Sequence, residues 1–168
     1  STTQHAGYVD ADGLWHLGTG TGSAKTITGG IITGDVNGGG TGGTINGGTN
    51  VTIVGNLPYI QGNISADNVL LQDVSPNDEG YTDFFDAYRG TITGTETITL
   101  DNYTVDDLRA ALVTKTLVLS NESITTIHNL TLTACTITAQ EGTSVTLADS
   151  LTLGNTANFS GDVSFAEE

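Results

Sequence analysis

The 168-residue chain carries 19 acidic against 4 basic residues, a formal net charge of -15. The four cations, Lys25, Arg89, Arg109 and Lys115, are scattered. A nucleic-acid or anionic-membrane surface needs them clustered to displace counterions from phosphates, so both partners are excluded.

Cys135 is the single cysteine, which rules out an internal disulfide and a cysteine-built metal cluster. It reads as a small buried apolar residue within LTLTACTIT. No apolar run is long enough to span a bilayer as a helix, so membrane insertion is not expected. Leu, Ile, Val and Phe make up roughly a quarter of the chain, little above the level at which a highly charged chain stays disordered. A narrow core repeated along an axis needs less apolar mass per residue than a broad one, and association of several chains relieves the shortage further. The acidity serves solubility or complements a basic protein surface. A chain opening at Ser1 reads as a cytosolic terminus trimmed of its methionine, with signal cleavage as the competing explanation.

Residues 1–18 read as an N-terminal hairpin and docking segment. Tyr8-Val9 and Leu14-Trp15 flank Asp10-Ala11-Asp12-Gly13, and Asp-Gly between apolar pairs signals a hairpin. Asp10 and Asp12 also resemble the start of a calcium loop, but the later oxygen ligands and the closing Glu are missing. Residues 19–74 form a Gly/Thr-rich region of short strands. Ile27, Ile31, Ile32, Val36, Ile45, Val51, Ile53 and Val54 recur between Thr and Gly-Gly, a spacing that a flexible linker does not need. GGGTGG (38–43) has no side chain to bury and reads as a hinge or a close backbone contact. Pro58 excludes a central strand position, after which Ile60, Ile64, Val69 and Leu71 resume the rhythm.

Residues 75–114 hold a turn, an aromatic cluster and a short helix. SPNDEG (75–80) is the clearest turn cluster, and YTDFFDAYR (81–89) places Phe84, Phe85 and Tyr88 together as a packing plug or interface. Thr104 with Asp107 makes an approximate capping box, and Leu108, Ala111 and Leu112 share a helical face, so the pattern predicts a helix near 105–113. Asp106 and Asp107 fall in its first turn. Residues 115–168 read as a C-terminal β-solenoid-like region: TLVL, ITTI, LTL, TIT, VTL, LTL and VSF, separated by turn-rich gaps, recur at twenty residues or less. The fold expected is all-β, a β-solenoid or intertwined trimeric β-helix of short strands with that one helix.

No catalytic constellation emerges. His5, His16 and His128 are not grouped at ligand spacing and read as surface or packing residues. Asp83 with Asp86 and Asp106 with Asp107 are the only carboxylate pairs suited to glycan cleavage, and each has a simpler turn or helix-start reading. No enzyme activity, cofactor or metal is expected. The pairs Thr26/Thr28, Thr91/Thr93, Thr97/Thr99, Thr131/Thr133 and Thr136/Thr138 resemble ice-binding ranks, but their uneven spacing favours threonine simply filling outward strand positions.

GYVDADGLWHLG (7–18) resembles hairpin-type segments of bacteriophage fibre and virion decoration proteins, and LTLGNTANFSGDVSF (151–165) is similar in texture to such fibres. The resemblance implies a non-enzymatic virion structural protein, a homotrimer assembled in the host cytoplasm and docked to a capsid or tail protein, with a host surface glycan as a further partner. Tyr8, Leu14 and Trp15, with Phe84, Phe85 and Tyr88, are the expected interface residues. A secreted β-solenoid adhesin or extracellular filament subunit is the alternative.

Overall fold

A computed structural model describes residues 7–9, 15–17, 24–28, 31–32, 36–37, 45–46, 50–54, 59–60, 64–75, 91–154 and 158–166. Side-chain surroundings are described for 50–54, 64–75, 91–134, 136–154 and 158–166. The chain is all-β in this part, with its strands wound as a β-solenoid of about 4 turns.

The expected hairpin is present: β1 (Gly7–Val9) runs antiparallel to β2 (Trp15–Leu17), with Tyr8 opposite His16 and Val9 opposite Trp15. Then follow β3 (Ala24–Thr28), β4 (Ile31–Ile32), β5 (Val36–Asn37), β6 (Ile45–Asn46), β7 (Asn50–Val54), β8 (Tyr59–Ile60) and β9 (Ile64–Gln72). The solenoid continues through β10 (Thr91–Asp101), β11 (Asp107–Leu108), β12 (Ala111–Ser120), β13 (Ile124–His128), β14 (Leu130–Ala139) and β15 (Ser144–Ala148). It closes with β16 (Thr152–Leu153), β17 (Asn158–Ser160) and β18 (Val163–Phe165). One sheet stacks β7, β9, β10, β12 and β14 in parallel, and the facing sheet stacks β11, β13, β15 and β18.

Alternation along each strand decides what lies inside. Val51, Val69, Ile98, Leu117, Ile137 and Phe159 are successive register partners and form one inward column. Ile64, Ile92, Leu112 and Leu130 form a second, and Leu108, Ile127, Leu147 and Phe165 form a third from the facing sheet. Ile98 and Leu117 are fully buried. Side-chain hydrogen bonds between neighbouring coils span 18 to 21 residues, which sets the coil length. Between β9 and β10 the same bonds span 28 or 29 residues. The extra length falls within 76–90, the residues read from the sequence as a turn and an aromatic cluster, which lie outside the described residues.

Each long strand bends midway. The register slips between Gly94 and Thr97 in β10 and between Thr114 and Thr116 in β12. LTL and TIT, read from the sequence as separate runs around TAC, are therefore one bent strand, β14. At the bend a Cβ on Gly94 would sit 2.5 Å from the Thr97 carbonyl oxygen, so only glycine fits without backbone movement. One coil on, the buried Thr114 hydroxyl reaches the carbonyl oxygens of Thr116 (3.0 Å) and Glu96 (3.3 Å), acceptors at the bend.

The helix expected near 105–113 is not formed. Asp107–Leu108 is a strand and Ala111 opens β12. The helical face assigned to Leu108, Ala111 and Leu112 is not the buried set. Leu108, Ala110 and Leu112 are buried and Ala111 is half-exposed, a period of two. Thr104 does not cap a helix: its backbone N–H donates to the Val74 carbonyl at 2.8 Å, tying it to the preceding coil. Pairing with the next coil outweighs the weak local preference for a helix.

This alternation predicts contrasting costs for adjacent residues. Ile92→Ala should lower unfolding free energy by about 2–5 kcal/mol, whereas Thr93→Ala should cost under about 1 kcal/mol, both read by chemical denaturation. Equal costs would refute the inward and outward assignment.

Candidate interaction surfaces

The corner after the long strands is built from left-handed residues: Asp73, Asn102, Asn121 and Glu122 all have positive φ, a region that Asn and Asp tolerate well. Their side chains join the coils. Asn121 Nδ2 donates to Asp101 Oδ1 at 2.6 Å, Ser120 Oγ to the same oxygen at 3.1 Å, and Gln72 Nε2 to Oδ2 at 3.1 Å. Asn102 Nδ2 donates to Asp73 Oδ1 at 3.0 Å. The Asn121 hydrogen bond is the main cause that holds the Asp101 carboxyl below the usual Asp range; Gln72 and Ser120 add to it, and partial burial opposes it. Behind this corner lies Ser123, fully buried. It accepts from the Tyr103 N–H at 2.8 Å, and its hydroxyl lies 2.8 Å from the Ser120 and 3.0 Å from the Leu100 carbonyl oxygens. Thr143 repeats the Ser123 bond one coil on, donating to the Gln140 carbonyl at 2.7 Å.

The opposite corner holds a second cluster. His128 points outward by strand alternation, yet its side chain is only 11% exposed. Nε2 lies 2.8 Å from Asp107 Oδ1 of the preceding coil, and Nδ1 contacts Asp149 Oδ2 of the following coil. Arg109 stands 3.9 Å from the other oxygen of Asp107. The Tyr103 hydroxyl donates to the Asp107 backbone carbonyl at 3.1 Å. Burial, followed by the Asp107 carboxylate, pushes the Tyr103 phenol far above its ordinary value, so it stays a neutral donor. The two carboxylates approach opposite ring nitrogens, which is the geometry of a bridge and not of a chelate. Among the described residues no group of three His, Cys, Asp or Glu is placed to hold a metal ion.

Among the described side chains, charge is confined to these corners and to the mid-strand bends. Asp67, Glu96 and Lys115 sit at the bends, where Lys115 Nζ meets Glu96 Oε1 at 2.9 Å. Both side chains of that pair are at least half exposed, so it contributes at most about 1 kcal/mol. The strand faces between are uncharged among the described side chains. On the outer face of the second strand segments, Asn50, Asn68, Thr97, Thr116, Thr136 and Asn158 form one column. Thr52, Leu70, Thr99, Val118, Thr138 and Ser160 form the next. Thr97/Thr99 and Thr136/Thr138 thus stand at the same rung position with Thr116 between, because the corners absorb the uneven spacing in sequence. Thr91/Thr93 belongs to another face, where Thr93, Val113 and Thr131 align.

Of the residues expected at an interface, Tyr8 and Trp15 lie on the two strands of the β1–β2 hairpin, one residue out of register with each other. Leu14, Phe84, Phe85 and Tyr88 lie outside the described residues, as do Asp83, Asp86, the 10–13 turn and the 38–43 glycines. Asp106 and Asp107 start no helix. The Asp106 side chain is exposed while its backbone carbonyl accepts from the Thr126 N–H at 2.8 Å, and Asp107 bridges to His128. The sequence reading missed that bridge and the charge-free face. Writing the chain in coils of 18 to 21 residues would have placed Asp107, His128 and Asp149 on one edge.

The Asp101 corner makes a titration prediction. The folded chain keeps Asp101 ionised to lower pH than the unfolded chain does. Its contribution is therefore in place above the ordinary Asp range and is lost as pH falls through the lower folded value. Carboxyl NMR should give Asp101 a midpoint below the usual Asp range, moving upward in Asn121→Ala; an unchanged midpoint in the variant would contradict the corner assignment. No family model, curated protein or solved structure matches the chain.

Proposed function

We propose that the chain is a non-enzymatic structural subunit that acts by self-association and docking, of the decoration or fibre kind carried by bacteriophage particles, with a homotrimer as its working form. The observation that carries this reading is the charge-free outer face. A chain with a net charge of -15 keeps Asn50, Thr52, Asn68, Leu70, Thr97, Thr99, Thr116, Val118, Thr136 and Thr138 free of any carboxylate across successive coils. Interface cores are depleted in charge while rims keep it, and here the acidic corners flank the face as a rim would. β-Branched side chains are stiff, so ordering them at an interface costs little entropy. Corner carboxylates keep the separate chains soluble and resist association in wrong registers.

Sedimentation velocity should report a trimer, and Val118→Glu with Thr138→Glu should shift it to a monomer whose far-ultraviolet circular dichroism is unchanged. A wild-type chain that stays monomeric at high micromolar concentration would end the self-association reading. Mass spectrometry of purified particles then separates the virion assignment, which expects the chain at fixed stoichiometry, from a secreted adhesin or filament, which expects it in extracellular material.

A second reading is favoured by one observation, the stacking of Thr97/Thr99 and Thr136/Thr138 through Thr116. Regular outward hydroxyl and methyl groups suit an ordered surface such as ice. Leu70, Asn50, Asn68 and Asn158 interrupt the rank, which is why this reading comes second. Thermal hysteresis with shaped ice crystals would promote it; unshaped growth would remove it.

A further inference from the structure

His128 is the one described histidine side chain, and it is held by carboxylates from two different coils. An ionised carboxylate only accepts hydrogen bonds, and a neutral imidazole donates from one nitrogen only. Both contacts are hydrogen bonds at once only when the ring carries a proton on each nitrogen. We propose that His128 is a proton-operated staple, which in its doubly protonated form ties the coil of Asp107 to that of Asp149 and releases one of the two when it loses a proton.

The surroundings support this use. Asp107 lies on the strand beneath, with Arg109 at 3.9 Å from its second oxygen and the neutral Tyr103 hydroxyl on its backbone carbonyl. Asp149 follows the strand above, in a left-handed corner, with its side chain more than half exposed. Among the described residues Asp106, exposed, is the remaining charged group on that edge, and β13 and β15 carry no other titratable side chain. On deprotonation one nitrogen turns a lone pair toward a carboxylate oxygen. The more solvated Asp149 arm is the one that opens, because its carboxylate regains water most readily. The coil that follows it, β16 to β18, then loses its tie to His128.

Only a ring protonated on both nitrogens bonds both carboxylates, so the tie is complete at mildly acidic pH and incomplete once the ring is neutral.

The test compares wild type with His128→Gln at fixed protein concentration, since the neutral amide cannot change charge. A melting-temperature gap of about 4 °C near about pH 5.5 should narrow to about 1 °C or less near about pH 8.5. A gap that stays constant across the range overturns the proposal. Asp149→Asn should flatten the dependence, because the amide can donate to a neutral ring nitrogen and accept from a protonated one. Should His128→Gln fail to fold, ring nitrogen NMR of the wild type decides alone. Both nitrogens in the protonated range near about pH 6 support the staple, and a neutral tautomer there overturns it. Amide hydrogen exchange adds a local reading: protection over 158–166 should fall with rising pH by more than that over 111–120, after correction for the intrinsic rate. Equal changes in the two segments would contradict selective release of the following coil.

Discussion

Parallel pairing between residues one coil apart is the constraint on which the rest of this structure depends. It puts Val69 on Ile98, Ile98 on Leu117 and Leu117 on Ile137, so each aliphatic side chain is buried largely by its own equivalents. Each such residue contributes about 1.5–3 kcal/mol when fully buried, and a slip of one residue would turn the whole set outward. The column therefore fixes register as well as contributing stability. This is how a chain in which roughly a quarter of the residues are large apolar ones builds a core: the core is narrow, and it is extended by repetition.

Register in turn dictates the corners. Residues that leave the strands at equivalent points of successive coils must turn the backbone, and Asp73, Asn102 and Asn121 at one corner and Asn129 and Asp149 at the other do so with positive φ. Short polar side chains there exchange hydrogen bonds from coil to coil, Asn102 with Asp73, Asn121 with Asp101 and Asp149 with His128. Ser123 and Thr143 satisfy backbone groups that the turns would otherwise leave unpaired, whereas Asp101 and His128 bond side chains of neighbouring coils. The carboxylates collect here because a corner is solvated on its outer side, whereas the strand faces pack or lie flat. An acidic protein thereby acquires uncharged faces.

Much of the architecture was legible in residue patterns. Alternating Thr with Ile, Leu or Val is the signature of strands with one face inside, and it located β7, β9, β10 and β15, the second half of β12, and β14 as two runs. Asp-Gly between apolar pairs located the β1–β2 hairpin. The helix near 105–113 failed because Leu108 and Leu112 fit helical and strand spacing alike; only the burial of Ala110 distinguishes them, and that depends on the coil above. The bends were read as turns because a register slip looks like a break in alternation. The Asp107–His128–Asp149 bridge was invisible for a different reason: each residue is unremarkable alone, and their proximity is created by coil length. The same applies to the threonine columns, which unequal coils of 18 to 21 residues conceal in the linear sequence.

A solenoid of parallel strands with its described charge at the corners and mid-strand bends is a scaffold for contact across its faces, and the structural role proposed for the chain rests on that distribution. Both that role and the histidine staple presuppose the coil register. The measurement that tests it most directly is methyl–methyl nuclear Overhauser contact in selectively labelled protein. The account predicts contacts running in series from Val69 to Ile98 to Leu117 to Ile137, with none between Leu117 and Val69. Contacts that link these methyl groups in another order, or that pair each with residues offset along the strand, would contradict the coil register and the surfaces derived from it.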